Sequence, residues 1–265
     1  SFISIYTNAY ATLALKKDGT IWAWGGGENG RLGNNSINNF SSPISVVGNK
    51  SFIFLSCGSG FSIALMEDGT AWSWGYNVYG QLGDNTVTSK SSPVSVVGSH
   101  SFISVSSGRY HALALKEDGS VWAWGYNNAG QLGDNTTTNK SSPVSVVGNH
   151  SFVAISAGAQ HSLATKEDGS IWAWGYNSSG ELGDNTRTNK SSPILLQNNY
   201  KFVKAYGGYY GSGGLSPQII YPIKSLKNIA NAEKQNKKII IASNYEDMTT
   251  PFSSWKYRQK ITIDY

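Results

Sequence analysis

One stretch, residues 117–135 (EDGSVWAWGYNNAGQLGDN), occurs four times in this chain at a spacing of 50 residues, with small changes. A fixed long period means that each unit is a supersecondary module that buries its apolar surface against its neighbours. The front half of the stretch reads as a hairpin, with Asp118-Gly119 as a two-residue turn of the kind that suits positive φ. The strand after it puts Trp122 and Trp124 on one face and Val121 and Ala123 on the other. Both faces are apolar, so Trp72, Trp122 and Trp172 are expected to lie buried between units. Residues 126–135 read as a long loop, with Gly130 and Gly133 where a β-carbon would be awkward.

The units run over residues 1–50, 51–100, 101–150 and 151–200. Each opens on a strand-like run (SFISIY, SFIFLS, SFISVS, SFVAIS). In the third, Phe102 and Ser104 are expected on one face, Ile103 and Val105 on the other. A second strand, HALAL, follows from His111, then the turn, the Trp strand and the loop. A fourth strand over residues 143–147 closes the unit, its Pro143 tolerated as a first strand residue. Four short strands in 50 residues are the signature of a propeller blade. A leucine-rich repeat is about half as long. No window has the 3.6-residue apolar period of a helical repeat. The Gly-Gly doublet of kelch units is absent from the strand ends, and a β-solenoid uses shorter coils.

WAWGYNNAGQLGDN, SSPVSVVG and GRYHALALKEDG resemble the repeat of the regulator of chromosome condensation (RCC1) family over nearly all of residues 1–200. The resemblance implies an all-β propeller, commonly of seven blades, used mostly for protein–protein contact. The family's eukaryotic founder promotes nucleotide exchange on a small GTPase and docks on chromatin. This chain has four full repeats, and they are more alike than a differentiated exchange factor needs. Residues 201–223 read as a degenerate fifth repeat, giving a propeller over residues 1–223. Residues 224–265 read as a small basic α/β extension. Its end, WKYRQKITIDY, resembles the opening strand of a bacterial extracellular β-domain entered by W-x-Y-R-x-x-I-T-I. The chain starts at Ser1 with no visible signal peptide and is expected to be a processed form or a fragment.

Charge and motifs narrow the function. Residues 1–200 carry eleven Lys/Arg against twelve Asp/Glu, and residues 201–265 carry ten against four. The repeats therefore offer no basic stripe for nucleic acid. No run is apolar enough to span a bilayer as a helix. There is no Walker A loop, no HExxH and no paired Cys motif, so no cofactor and no metal are expected. Cys57, the single cysteine, stands where Ser107 and Ala157 stand and reads as a small buried residue. His111 and His161 share a position with Ala11 and Phe61, which favours a hydrogen-bonded structural histidine. The pairs Glu67-Asp68, Glu117-Asp118 and Glu167-Asp168 read as turn residues.

An active site needs unlike residues converging at one point, whereas near-identical repeats favour multivalent contact. The chain is therefore expected not to be an enzyme. Tyr76, Tyr126 and Tyr176 recur with adjacent Asn side chains, and with Tyr79, Arg109 and Tyr110 they are the candidate partner-binding residues. The partner is expected to be a protein, a glycan or a copy of this chain. Alternating Lys260, Ile261, Thr262, Ile263 and Asp264 form a candidate inter-subunit strand able to build filaments. Triplets of the Asn-x-Ser/Thr type start at Asn34, Asn39, Asn49, Asn135, Asn139, Asn149, Asn177 and Asn189. With the low charge they lean toward a glycosylated extracellular or cell-surface protein. The alternatives are an exchange regulator of a small GTPase and a polysaccharide-binding or -processing propeller.

Overall fold

The computed structural model describes residues 1–196, Ala9 apart. The chain divides into two units, Ser1–Pro222 and Ile223–Tyr265, and the described residues all belong to the first. They form four antiparallel sheets of four strands each. The first contains β1 Phe2–Thr7, β2 Ala11–Lys16, β3 Ile21–Gly25 and β4 Phe40–Ser45. The second contains β5 Phe52–Cys57, β6 Phe61–Met66, β7 Ala71–Gly75 and β8 Lys90–Ser95. The third contains β9 Ser104–Ser107, β10 His111–Leu115, β11 Val121–Gly125 and β12 Lys140–Ser145. The fourth contains β13 Ala154–Ala157, β14 His161–Thr165, β15 Ile171–Gly175 and β16 Lys190–Leu195. Each sheet is a simple up-and-down meander of one repeat. The first strands of successive sheets run beside one another, so the sheets fan out from them as blades. The expected fifth repeat, the α/β extension and the strand at Lys260–Asp264 fall outside the described residues.

The core lies between blades. Leu113, Leu115, Val121, Ala123, Leu132 and Val146 on one side of the third blade pack against Phe152, Ile155, Ala157, Ala164 and Trp174 of the fourth. The second and third blades repeat this pattern, as do the first and second. Burial of the leading face depends on having a blade in front of it. Phe102 and Val105 are 3% and 2% exposed, whereas their counterparts in the first blade, Phe2 and Ile5, are 48% and 63% exposed.

Strict alternation along the first strand fails. Phe102 and Val105 are both buried while Ile103 is exposed. The pairing slips between Phe2 and Ser4, and again between Phe52 and Phe54. Such an irregularity turns two residues of unlike parity to the same side.

The tryptophan expectation is also corrected. Trp74, Trp124 and Trp174 are the fully buried ones, whereas Trp72, Trp122 and Trp172 are half-buried. Trp124 slides under the loop of the preceding blade, and its Nε1 donates to Gln81 O at 3.0 Å. Trp122 lies nearer the hairpin, with Lys116 Nζ 4.7 Å from its ring centre and the His100 ring at 4.1 Å. Gly133 explains its own presence: at φ +67 its added Cβ would meet Trp174 Nε1 at 2.8 Å. A Cβ on Gly130 would meet Ser191 Cα of the next blade at 2.5 Å.

The hairpin turn holds three residues, Glu117, Asp118 and Gly119. Gly119 N donates to Lys116 O, and Lys116 N donates to Ser120 O, both at 3.0 Å. Gly119 has φ +81, whereas Asp118 is not among the positive-φ residues. This is a type I turn closed by a left-handed glycine. Asp118 Oδ1 accepts from Ser120 N and Ser120 Oγ at 2.8 and 2.6 Å, so turn chemistry accounts for the aspartate. The fourth strand begins earlier than expected, at Lys140, and Pro143 falls inside it. Proline is tolerated there because β12 is the edge strand and its pairing to β11 is irregular between Ala123 and Gly125.

His111 is fully buried and spans two blades. Its Nε2 lies 3.0 Å from Ser162 Oγ, which donates to Gln131 O at 2.8 Å. Burial, reinforced by His161, pushes the His111 imidazole down to about 3. Burial pushes His161 down to about 4, against an opposing pull from Glu181. Phe61 holds the same position in the second blade and shares a core with Ala112, where the fourth blade has Ser162. Cys57 is partly buried, 3.7 Å from Ser62 Oγ, and desolvation pushes its thiol up to about 12.

Two outcomes follow from the interfaces. Trp124→Ala is expected to cost about 3–5 kcal/mol in urea unfolding, and Trp122→Ala less than about 2 kcal/mol. Equal losses would contradict the assignment of the inner tryptophan to the core. The second outcome concerns acid. Folded His111 holds its proton less tightly than the unfolded chain does, so its stabilisation is full above the unfolded value of about 6.5. It is lost as pH falls toward about 3, at up to about 1.4 kcal/mol per pH unit. The double variant His111→Phe, Ser162→Ala, which copies the Phe61–Ala112 pair, should remove a loss on the order of 2 kcal/mol between about pH 7 and pH 4.5. An unchanged pH dependence of urea unfolding would refute this role for His111.

Candidate partner-binding surface

The loop after each third strand is built around one asparagine. Asn127 is fully buried. Its Nδ2 lies 3.1–3.2 Å from Asp134 Oδ1, Thr136 O, Thr136 Oγ1 and Thr138 O. Its Oδ1 accepts from Leu132 N at 2.9 Å. Asn77 and Asn177 do the same in their loops. These asparagines therefore shape the loop from inside and do not face a partner. The same burial removes Asn177 as a glycan acceptor. The first blade has Gly27 at this position and lacks the network.

The first three loops also reach the next blade. Asn35 N donates to Ser91 O at 2.7 Å, Asn85 N to Ser141 O and Asn135 N to Ser191 O at 2.8 Å. Asp84, Asp134 and Asp184 pair with Lys90, Lys140 and Lys190 at 3.5–3.7 Å. Gln81 ties the loop to the core, because its Oε1 accepts from Tyr79 N at 2.9 Å and its carbonyl accepts from Trp124 Nε1.

The turn between the first and second strands lies at the same end of the blade, since Tyr126 N donates to Tyr110 O at 2.9 Å. These turns are linked from blade to blade. Ser59 N donates to Arg109 O at 3.0 Å, and Arg109 N donates to Ala159 O at 3.1 Å.

On this frame sits a cluster of four tyrosines. Tyr79 is the hub, with ring centres 6.2 Å from Tyr76, 5.4 Å from Tyr110 and 4.7 Å from Tyr126. Tyr110 also meets Tyr76 at 5.9 Å and Tyr126 at 6.4 Å. Arg109 lies 5.1 Å from the Tyr110 ring centre. All five residues are half-buried. Burial, with Tyr79 and Tyr110 close by, pushes the Tyr76 hydroxyl above its ordinary range.

Of the recurring tyrosines expected to meet a partner, Tyr76 and Tyr126 therefore belong to a local patch across the second and third blades. Tyr79 and Tyr110 create it, and neither recurs in every repeat. Position 79 is Asn29, Ala129 and Ser179 elsewhere, and position 110 is Tyr10, Gly60 and Gln160. Tyr176 takes no part among the described residues. Among the described residues no three His, Cys, Asp or Glu side chains converge, and no helix is long and apolar enough to cross a membrane.

Comparison with known proteins agrees with this architecture. The family model described as the RCC1-like domain matches residues 1–216. A comparison with curated protein sequences finds no match. Human WBSCR16 is similar in structure, with 22% identity and a TM-score of 0.71 over 78% of this chain and 56% of that one. Yeast RCC1 (Prp20), solved with Kap60 bound, gives 19% identity and a TM-score of 0.73 over 89% of this chain and 57% of its own. Prp20p from Saccharomyces cerevisiae, described with its binding to Gsp1p and histones, gives 19% and 0.69 over 89% and 59%. The chain thus spans a little over half the length of these proteins, and at such identities the likeness is one of fold. The four meander blades and the family match over residues 1–216 together establish that the chain belongs to the RCC1-like domain family.

Proposed function

We propose that this chain is a non-enzymatic protein-binding module whose contact surface is the loop-bearing end of the second and third blades. The observation that carries the reading is the break in symmetry. Repeats that are otherwise near-identical place Tyr79 and Arg109 at one spot only, beside Tyr110, where four rings and a guanidinium cluster. Tyrosine and arginine are enriched at the energetic centres of protein interfaces. Prp20, a neighbour in fold, binds Kap60.

The turn aspartates and the buried histidine, the residue types that catalysis uses, are engaged elsewhere. The turn aspartates accept from Ser and Thr, and His111 is walled into a blade interface. Outside the cell is the compartment this reading favours. Its support is the low charge of the repeats, the Asn-x-Ser/Thr triplets and the resemblance of residues 255–265 to an extracellular β-domain. Self-assembly through Lys260–Asp264 belongs to the same reading and rests on the alternation of that segment alone.

Photocrosslinking from position 78, where Val78 is exposed on the Tyr79 loop, identifies the partner. Tyr79→Ala is then expected to weaken binding at least about 30-fold, while Tyr176→Ala leaves it unchanged. Equal weakening by both would replace the local patch with a repeated ring of contacts. Strong acceleration of nucleotide release from a small GTPase would favour the exchange-regulator reading.

A further inference from the structure

We propose that the surface on the second and third blades selects partners through a carboxylate, so that the docking segment is an acidic stretch of a protein. The inference rests on the binding-module reading above and names the chemistry of its partner. It comes from two arginine–tyrosine pairs within this chain. In the first blade the Arg31 guanidinium lies 4.7 Å from the ring centre of Tyr10. Its third member is an acid: Arg31 Nε donates to Glu28 O at 2.8 Å and Nη2 donates to Glu28 Oε2 at 3.0 Å. That guanidinium is buried and satisfied.

Tyr110 occupies the repeat position of Tyr10, and Arg109 lies over it at 5.1 Å. Here the acid is missing. Position 128, the counterpart of Glu28, is Asn128, and position 78 on the adjoining loop is Val78. Among the described residues Arg109 makes no ion pair, and its Nε is shielded from solvent with no acceptor.

Backbone needs do not explain the arginine. The turn is held by main-chain bonds on both sides, and Ser59 and Ala159 serve the same turn in the neighbouring blades. The guanidinium is an addition, set beside the Tyr110 ring. A planar guanidinium presents paired donors that match a carboxylate. The tyrosine rings beside it offer apolar surface and hydroxyls to the segment that carries the acid. Shielding closes Nε itself to an incoming group, so a carboxylate pairs through the terminal Nη donors of the same fork.

The test uses the full chain and a capped peptide, acetyl-Ala-Glu-Ala-Glu-Ala-amide, with its Gln counterpart as control. The readout is the Nε–H resonance of each arginine. The acidic peptide is expected to move the Arg109 resonance downfield, saturating with a Kd of about 1 mM or tighter. The Arg31 resonance, already paired to Glu28, stays in place. The Gln peptide has no effect, and Arg109→Ala lowers affinity for the acidic peptide at least about tenfold. Arg109→Lys, which keeps the charge without the fork, retains part of it.

An unmoved Arg109 resonance overturns the inference, as does equal binding of the Gln peptide. Inorganic phosphate moving the resonance as strongly as the peptide would overturn the assignment to a protein segment. If Tyr79→Ala abolishes partner binding while Arg109→Ala leaves it intact, the acid requirement fails and the binding-module reading stands. If neither matters, that reading fails with it.

Discussion

Everything in this structure depends on one contact, the insertion of an inner tryptophan beneath the loop of the blade in front. Trp74, Trp124 and Trp174 donate to the main chain of Arg31, Gln81 and Gln131. The glycines at positions 33, 83 and 133 leave room for the indoles. A blade is therefore not a self-contained layer. Its leading face is apolar only usefully when another trailing face covers it, as the exposure of Phe2 and Ile5 shows. Stability in such an array is set by nearest-neighbour interfaces, each a near copy of the next.

That repetition makes departures from it informative. The interface between the third and fourth blades swaps a Phe–Ala pair for His111 and Ser162, and the cost is a buried imidazole that disfavours its proton. The loop end of the second and third blades adds Tyr79, Arg109 and Tyr110, which the scaffold does not need. The first departure is absorbed by the core. The second is left partly exposed on a rigid frame, which is where binding residues are expected.

Much of the fold was legible because period and turn chemistry are local. The four meander blades, the role of Gly130 and Gly133 and the hydrogen-bonded histidine follow from residue spacing. What was not legible depends on depth and on neighbours. Trp122 and Trp124 share a strand face, and only the overhanging loop decides which is buried. Asn127 looked like a surface residue because its acceptors, Asp134 to Thr138, become acceptors only when the loop closes around it. The His111–Ser162 pair was not legible either: positions 61 and 112 are Phe and Ala and positions 111 and 162 are His and Ser, but positions 11 and 62 are Ala and Ser, so a serine there does not mark a histidine partner. The tyrosine patch was half visible: its residues were candidates, but recurrence grouped Tyr176 with Tyr76 and Tyr126, and only the contacts of Tyr79 reveal a cluster.

Hydrogen exchange of the free chain and of its complex tests the central claim, that the asymmetric patch and not the repeated loops meets the partner. Protection on binding is expected in residues 76–81 and 108–110, with the matching segments 26–31 and 176–181 unchanged. Protection spread evenly over all four loops, or confined to the hairpin turns at the opposite end, would contradict it.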